Sequence, residues 1–173
     1  MRRWDVLAAM IHAEGFTKFV EVGTKEGRTT AHILQECPNV QVTALDPWCE
    51  MPSQGPVSGG EAYDRWDFDA IENSFWERVD PWKDRLTFLR RTSEEAAPAV
   101  DDGSQDLVFI DAAHDYDSVK QDIELWIPKV RNGGILAGHD FQHSFPTVMD
   151  AVADSFNLMF VEVMPDSVWW VRC

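Results

Sequence analysis

The stretch Phe19-Val20-Glu21-Val22-Gly23-Thr24-Lys25-Glu26-Gly27-Arg28-Thr29-Thr30 sets an apolar run, an acid, a turn with two glycines and a helix-compatible run in direct succession. Few folds accept that order. A buried strand ends near the acid, the glycines let the backbone turn sharply, and a helix carries the chain back across a sheet. A second acid, Asp46, closes the next apolar run, Val42-Thr43-Ala44-Leu45. A glycine turn and two carboxylates at neighbouring strand ends are what an α/β sheet offers a nucleoside-containing ligand. The backbone comes close to the ligand, and the acids meet its hydroxyl and amine groups.

Helix and strand patterns alternate along the rest of the chain. Residues 2–14 predict an amphipathic helix with Trp4, Leu7, Ala8 and Ile11 on one stripe. Strands are expected at Lys18–Val22, Gln41–Leu45, Leu86–Arg90, Leu107–Ile110 and Ile135–Gly138. Helices are expected at about Lys25–Cys37, Tyr63–Val79, Ser93–Val100, Tyr116–Val130 and Pro146–Phe156, with Asn132-Gly133-Gly134 capping the fourth of these. Leu158–Met164 and Val168–Arg172, around Pro165-Asp166-Ser167, read as a closing antiparallel hairpin. The pattern predicts an α/β fold: a Rossmann-like, doubly wound, seven-stranded sheet, mostly parallel with a C-terminal antiparallel hairpin. Residues 1–173 are expected to form one domain, with an N-terminal helix over 1–16. Prolines and glycines crowd residues 47–62, which predicts a flexible lid or substrate loop.

The formal net charge of −15 repels phosphate backbones, so no nucleic-acid partner is expected; Arg85, Arg90 and Arg91 are too few to reverse that. No apolar run reaches the ~18 residues of a membrane span, and no signal peptide is read. Cys37, Cys49 and Cys173 are scattered and odd in number, as expected of reduced thiols in a cytoplasmic protein.

Polar residues stand at the carboxyl ends of the strands: Glu21 and Gly23, Asp46, Thr92 and Ser93, Asp111, and His139-Asp140. Ligands bind at that edge of such sheets. Together with Ile110-Asp111-Ala112-Ala113-His114-Asp115-Tyr116, then Asp122, Trp126, Gly133-Gly134 and His139-Asp140, the chain resembles the class I S-adenosylmethionine-dependent methyltransferases. It is most similar to their small family-24-type domains, over about residues 17–141. The resemblance implies S-adenosyl-L-methionine as cofactor, bound by Glu21, Gly23, Thr24, Gly27, Asp46, Pro47, Thr92, Ser93 and Asp111. Glu21, Gly23 and Gly27 would surround the methionine moiety, Asp46 the ribose, and Thr92 and Ser93 the adenine. Many members carry G-x-G, whereas Thr24-Lys25 follows Gly23 here.

Asp111, His139 and Asp140 offer mixed oxygen and nitrogen ligands that suit Mg²⁺ or Mn²⁺. Related metal-dependent O-methyltransferases carry acidic or amide ligands at the His139-Asp140 positions, which leaves His139 open as a ligand or a substrate contact. His114, three residues after Asp111, is the expected catalytic base, with Asp111 the other catalytic residue; its alternative is a cap for the helix that follows. His143 reads as a surface residue, and Trp48 as a pocket-lining one. The reaction expected is metal-assisted O-methylation of a small hydroxylated acceptor, a sugar or glycosylated metabolite. Residues 1–16, 47–66 and 141–150 are little material for an acceptor site, so the acceptor is small, the site is open, or a second subunit of a homodimer completes it. Two other functions compete. Tyr116 and Lys120, with Ser104 upstream, match the spacing of an NAD(P)-dependent short-chain-type oxidoreductase, and the fold also serves non-catalytic nucleoside binding.

Overall fold

A computed structural model describes residues 1–49 and 66–173. The expected helix start at Tyr63 and most of the 47–62 loop lie outside the described residues. In chain order the elements are α1 (Arg3–Glu14), β1 (Lys18–Val22), α2 (Arg28–Glu36), β2 (Gln41–Leu45), α3 (Phe68–Val79), β3 (Leu86–Leu89) and α4 (Ser93–Ala96). They continue with β4 (Gln105–Ile110), α5 (Tyr116–Trp126), β5 (Val130–Gly138), α6 (Pro146–Ser155), β6 (Glu162–Met164) and β7 (Val168–Arg172).

The seven strands form one sheet in the order β3-β2-β1-β4-β5-β7-β6. The first five are parallel, and β7 runs antiparallel to both β5 and β6. The chain winds outward from β1 to β3 and then returns to place β4 beside β1. The crevice for a ligand in such a sheet opens at that reversal.

Strand alternation divides the core between the two faces. Phe19, Val42, Ala44, Leu107, Phe109, Ile135 and Ala137 pack with the buried residues of α1, α2 and α3. Val20, Val22, Leu45, Val108, Ile110 and Leu136 pack with those of α4, α5 and α6. Continuing the same parity past the strand ends puts Glu21, Asp111 and His139 on the face covered by α1 and α2. The period of two in three separate strands thus decides which side chains meet at the rim.

Several local expectations change. The helix expected over Ser93–Val100 ends at Ala96, and Ala97–Ala99 form a 3-10 turn with Pro98 in it. Asn132-Gly133-Gly134 does not cap a helix. Gln105 pairs with Val130 and Leu107 with Ile135, so these residues bulge out of β5, with Gly133 at φ +76°. The helix before them ends at Trp126, and Ile127–Lys129 tighten into a 3-10 turn because Pro128 lacks an N–H. Leu158–Phe160 are also a 3-10 turn, which leaves β6 only three residues long. Arg85 donates to the carbonyls of Cys37, Val40 and Leu34, and Arg90 pairs with Glu72 at 2.7 Å. Two of the three clustered arginines are therefore bound within the fold.

Candidate active site

The strand registers place the site. Val22 pairs with Leu45 and with Ile110, Leu45 with Leu89, and Ile110 with Gly138. The next residue of each strand therefore emerges on one level, and backbone bonds hold it there. Gly23 N–H donates to Leu45 (2.9 Å), Asp111 N–H to Val22 (2.8 Å) and His139 N–H to Ile110 (3.0 Å). A cavity of about 520 Å³ opens over this rim, lined among others by Arg3, Glu21, Asp46, Asp111, His114 and His139. That volume lies within the usual range for small-molecule sites. Gly23, Thr24, Pro47, Thr92, Ser93 and Asp140 line it as well. Gly27 does not. It takes φ +72° at the start of α2 and lies against the Phe75 ring, which a Cβ there would meet at 2.5 Å.

At the glycine-turn end, Asp46 holds the loop. Its Oδ2 accepts the Lys25 N–H and its Oδ1 the Trp48 N–H, both at 2.9 Å. The Thr24 backbone bonds it as well, and a carboxylate has about four acceptor positions, so about one remains for a ligand's hydroxyl. Burial raises the Asp46 carboxyl, against those backbone bonds. Lys25 and Trp48 both carry positive φ, +47° and +43°, strain that is common beside binding sites. Trp48 itself points into the core. It stacks on Phe88 at 4.5 Å and meets the edge of Phe75, so it does not line the cavity as expected. Trp66 does, with the Lys25 ammonium 4.1 Å over its ring. Glu21 is 2% exposed and accepts the Thr30 hydroxyl; burial pushes its carboxyl up to about 8. The Thr24 hydroxyl is buried without a partner among the described residues.

At the far end, Thr92 caps α4 through Glu95, and Ser93 Oγ accepts the Trp126 indole N–H at 2.6 Å. Asp122 is also hydrogen-bonded to Ser93. Burial lifts its carboxyl to about 7, with Asp115 and Glu94 adding to the rise. An unfolded chain would release that proton near the ordinary carboxylate value. The folded state therefore binds the extra proton between about pH 4 and 7, and stability falls as pH rises through that window. Asp122→Asn keeps the shape and removes the charge. We expect it to melt higher than the native chain at pH 8 and equally at pH 4, as calorimetry across that range would measure. No gain at pH 8 would mean that Asp122 is not a buried, partly protonated carboxyl.

The opposite wall holds four titratable groups. His114 Nε2 lies 2.7 Å from Asp140 Oδ2, and His139 Nδ1 lies 3.2 Å from the same oxygen and 3.5 Å from Asp111 Oδ1. Burial alone would raise Asp140, but contacts with His114 and His139 outweigh it and hold this carboxyl well below the usual range. Burial disfavours a charged His139, yet Asp140 and Asp111 raise its pKa overall. Asp111 is raised by burial, against the charges of Arg3 and His139. His114 does not cap the following helix. Asp115 does so, its carboxylate accepting the Ser118 N–H at 3.0 Å. Instead the His114 ring packs on Phe145 and its carbonyl accepts the Thr147 hydroxyl at 2.6 Å. His143 is exposed.

Donor atoms from Asp111, His139 and Asp140 all lie within 4.8 Å of one another, and the set fits a divalent ion in its chemistry. Two residues of this wall escaped the sequence analysis. Arg3 Nε sits 3.0 Å from Asp111 Oδ2, and Asp166 accepts the Arg3 N–H at 2.7 Å while lying 3.9 Å from His139 Nε2. Arg3 had a signal: it stands one helical turn ahead of Leu7 and two ahead of Ile11, a charge on the buried stripe of α1. Asp166, in a turn far along the chain, had none.

Tyr116 and Lys120 lie off the cavity wall. The Tyr116 hydroxyl donates to Asp154 on α6 at 2.9 Å, and Ser104 donates to the Asp101 carbonyl in its own turn. That geometry gives the oxidoreductase alternative no site.

A family model described as a methyltransferase domain matches residues 20–141. The chain belongs to this family of methyltransferase domains. Among solved structures it is similar to the calicheamicin methyltransferase CalS11, with a TM-score of 0.71 and 14% identity, over 98% of this chain and 76% of that one. It is also similar to the O-methyltransferase NovP, with a TM-score of 0.70 and 16% identity, over 98% of this chain and 78% of that one. At such identities the likeness is one of fold. By sequence it is 42% identical over 52 residues to the uncharacterised protein y4gI of Sinorhizobium fredii, an alignment that spans 30% of this chain and 6% of that protein. Among the described residues no helix is long and apolar enough to cross a membrane.

Proposed function

We propose that this methyltransferase uses S-adenosylmethionine to methylate a hydroxyl oxygen of a small acceptor, with help from a divalent metal ion. One observation carries this. A glycine turn and Asp46 suited to a nucleoside share one cavity with a His–Asp cluster suited to deprotonating a hydroxyl.

The cofactor, when bound, supplies an electrophilic methyl group. Gly23, Thr24 and Asp46 would hold it, with Thr92 and Ser93 toward the adenine. Asp111, His139 and Asp140 would hold the metal, which lowers the pKa of a coordinated hydroxyl. With Nε2 against Asp140, His114 keeps Nδ1 unpartnered among the described residues. That assignment follows from the neighbours; Nδ1 is covered in this structure and would take the acceptor's proton once the side chain is uncovered to the cavity. Asp140 orients the imidazole and stabilises its charged form. Phe145 and Thr147 fix its position, so much of catalysis is placement. A sugar or glycosylated metabolite fits this chemistry as acceptor, and a second subunit would enclose it. A cytoplasmic location and the lack of a nucleic-acid partner remain part of the same proposal.

The test is calorimetric titration with S-adenosylhomocysteine, with NAD⁺ and NADP⁺ in parallel. Binding in the micromolar range by S-adenosylhomocysteine alone is expected, weakened at least about tenfold in Asp46→Ala, a loss of 1.4 kcal/mol or more. Binding of a nicotinamide nucleotide alone would overturn the proposal, and binding of none would favour a non-catalytic role.

A further inference from the structure

The cation site already faces a cation. Arg3 reaches Asp111 from α1 through Nε, at 3.0 Å, and both side chains are mostly buried, 29% and 12% exposed. The placement is fixed from three directions. Val6, Leu7, Ala8 and Ile11 bury α1 against the sheet. The Arg3 N–H donates to Asp166, whose own backbone is held left-handed at φ +63° in the turn before β7. Strand parity turns Asp111 toward α1. The guanidinium therefore lies beside one of the three residues whose donor atoms converge as metal ligands.

We propose that Arg3 and a divalent ion compete for Asp111, so that α1 carries a built-in competitor that sets the metal affinity of the site. This rests on the metal site proposed above. A carboxylate oxygen 3.0 Å from a guanidinium is paired with that charge by proximity, without a hydrogen bond from Nε, and a dipositive ion a few ångströms away repels the guanidinium. Arg3 sits on Oδ2 while Oδ1 faces His139, so an ion on Oδ1 meets the guanidinium across the same carboxylate and loads more readily when Arg3 releases Asp111. Because Arg3 is the first residue of α1, that release is felt at the N-terminus of the helix and at its Asp166 cap. The protein without metal keeps its carboxylates compensated, with Arg3 and His139 beside Asp111 and both histidines beside Asp140. The ligand set is then assembled before any ion arrives.

Mn²⁺ titration of the cofactor-free protein, followed by the electron-paramagnetic-resonance signal of free Mn²⁺, tests this without any acceptor or turnover. Arg3→Gln should bind Mn²⁺ at least about tenfold tighter than the native chain. Arg3→Lys, which keeps the charge, should stay near native affinity. Asp166→Ala removes the acceptor of the Arg3 N–H and loosens the start of α1; it should tighten binding in the same direction despite the lost negative charge, so the test survives a poorly folding Arg3 variant. Equal or weaker binding in Arg3→Gln would overturn the competition and leave the metal site standing. Failure of the native chain and of Arg3→Gln alike to bind Mn²⁺ would overturn the metal site, and the competition with it.

Discussion

Gly23→Ala is expected to lower the melting temperature by about 6–12 °C and to abolish measurable S-adenosylhomocysteine binding. Two independent effects act at this one Cβ. Gly23 takes φ +84°, where an L-residue with a side chain pays about 1–2 kcal/mol. The added methyl would also stand 2.5 Å from the Asp111 carbonyl oxygen and 2.7 Å from the Ala112 Cα. Those are backbone atoms of the neighbouring strand end, so no rotamer change relieves the overlap. Forcing such atoms apart costs about 1–3 kcal/mol. A total near 3 kcal/mol, at roughly 2–4 °C per kcal/mol for a chain of this size, gives the expected shift. The displacement spreads β1 from β4 at the reversal of the sheet, moving the glycine turn and Asp111 apart. Differential scanning calorimetry and a binding titration measure the two effects. A variant with native melting and native affinity would show that this close approach of strand ends does not matter to the site.

The same rim shows why much of this protein was legible in its sequence. Strands ending at Val22, Leu45 and Gly138 follow from apolar runs stopped by glycine or an acid, and a period of two sorts their side chains between faces. Asp46, Asp111 and His139 meet one cavity because parallel strands in register deliver their next residues to one level, and Glu21, His114 and Asp140 join them from within β1 and from the loops that follow β4 and β5. What escaped depends on contacts between distant parts of the chain. Nothing local to Asp166 marks it, because its importance comes from α1 lying across the turn before β7. Trp48 stands beside an irregular segment, a place that suggests a pocket wall. A left-handed backbone turns the ring inward onto Phe88 instead. The Asn132-Gly133-Gly134 run was read as a helix cap because a bulge and a cap call for the same residues. Only the pairing of Gln105 with Val130 distinguishes the two.

Asp111→Asn should leave S-adenosylhomocysteine binding nearly unchanged and cut turnover at least roughly a thousandfold, within the range that a positioned base and its partners command. The amide keeps the size and the backbone of the aspartate, and β4 still ends in register beside β1. Asp46, the acid proposed for the ribose, belongs to another strand and keeps its bonds to Lys25 and Trp48. Two things are lost: the proposed anionic metal ligand, and the charge that lies beside Arg3 and faces His139. Burial already disfavours the charged carboxyl, so neutralising it costs the fold less than breaking an ordinary buried pair. The melting temperature should therefore fall only by a few degrees. Catalysis has no such cushion. His114 would retain Asp140 and could still accept a proton, but the acceptor hydroxyl would lack the ion that acidifies and orients it. The measurement pairs a binding titration with turnover on an acceptor found by screening hydroxylated compounds in the presence of Mg²⁺. Preserved turnover would sink the metal proposal and leave His114 and Asp140 as the catalytic pair. Loss of cofactor binding along with turnover would make Asp111 a cofactor ligand first.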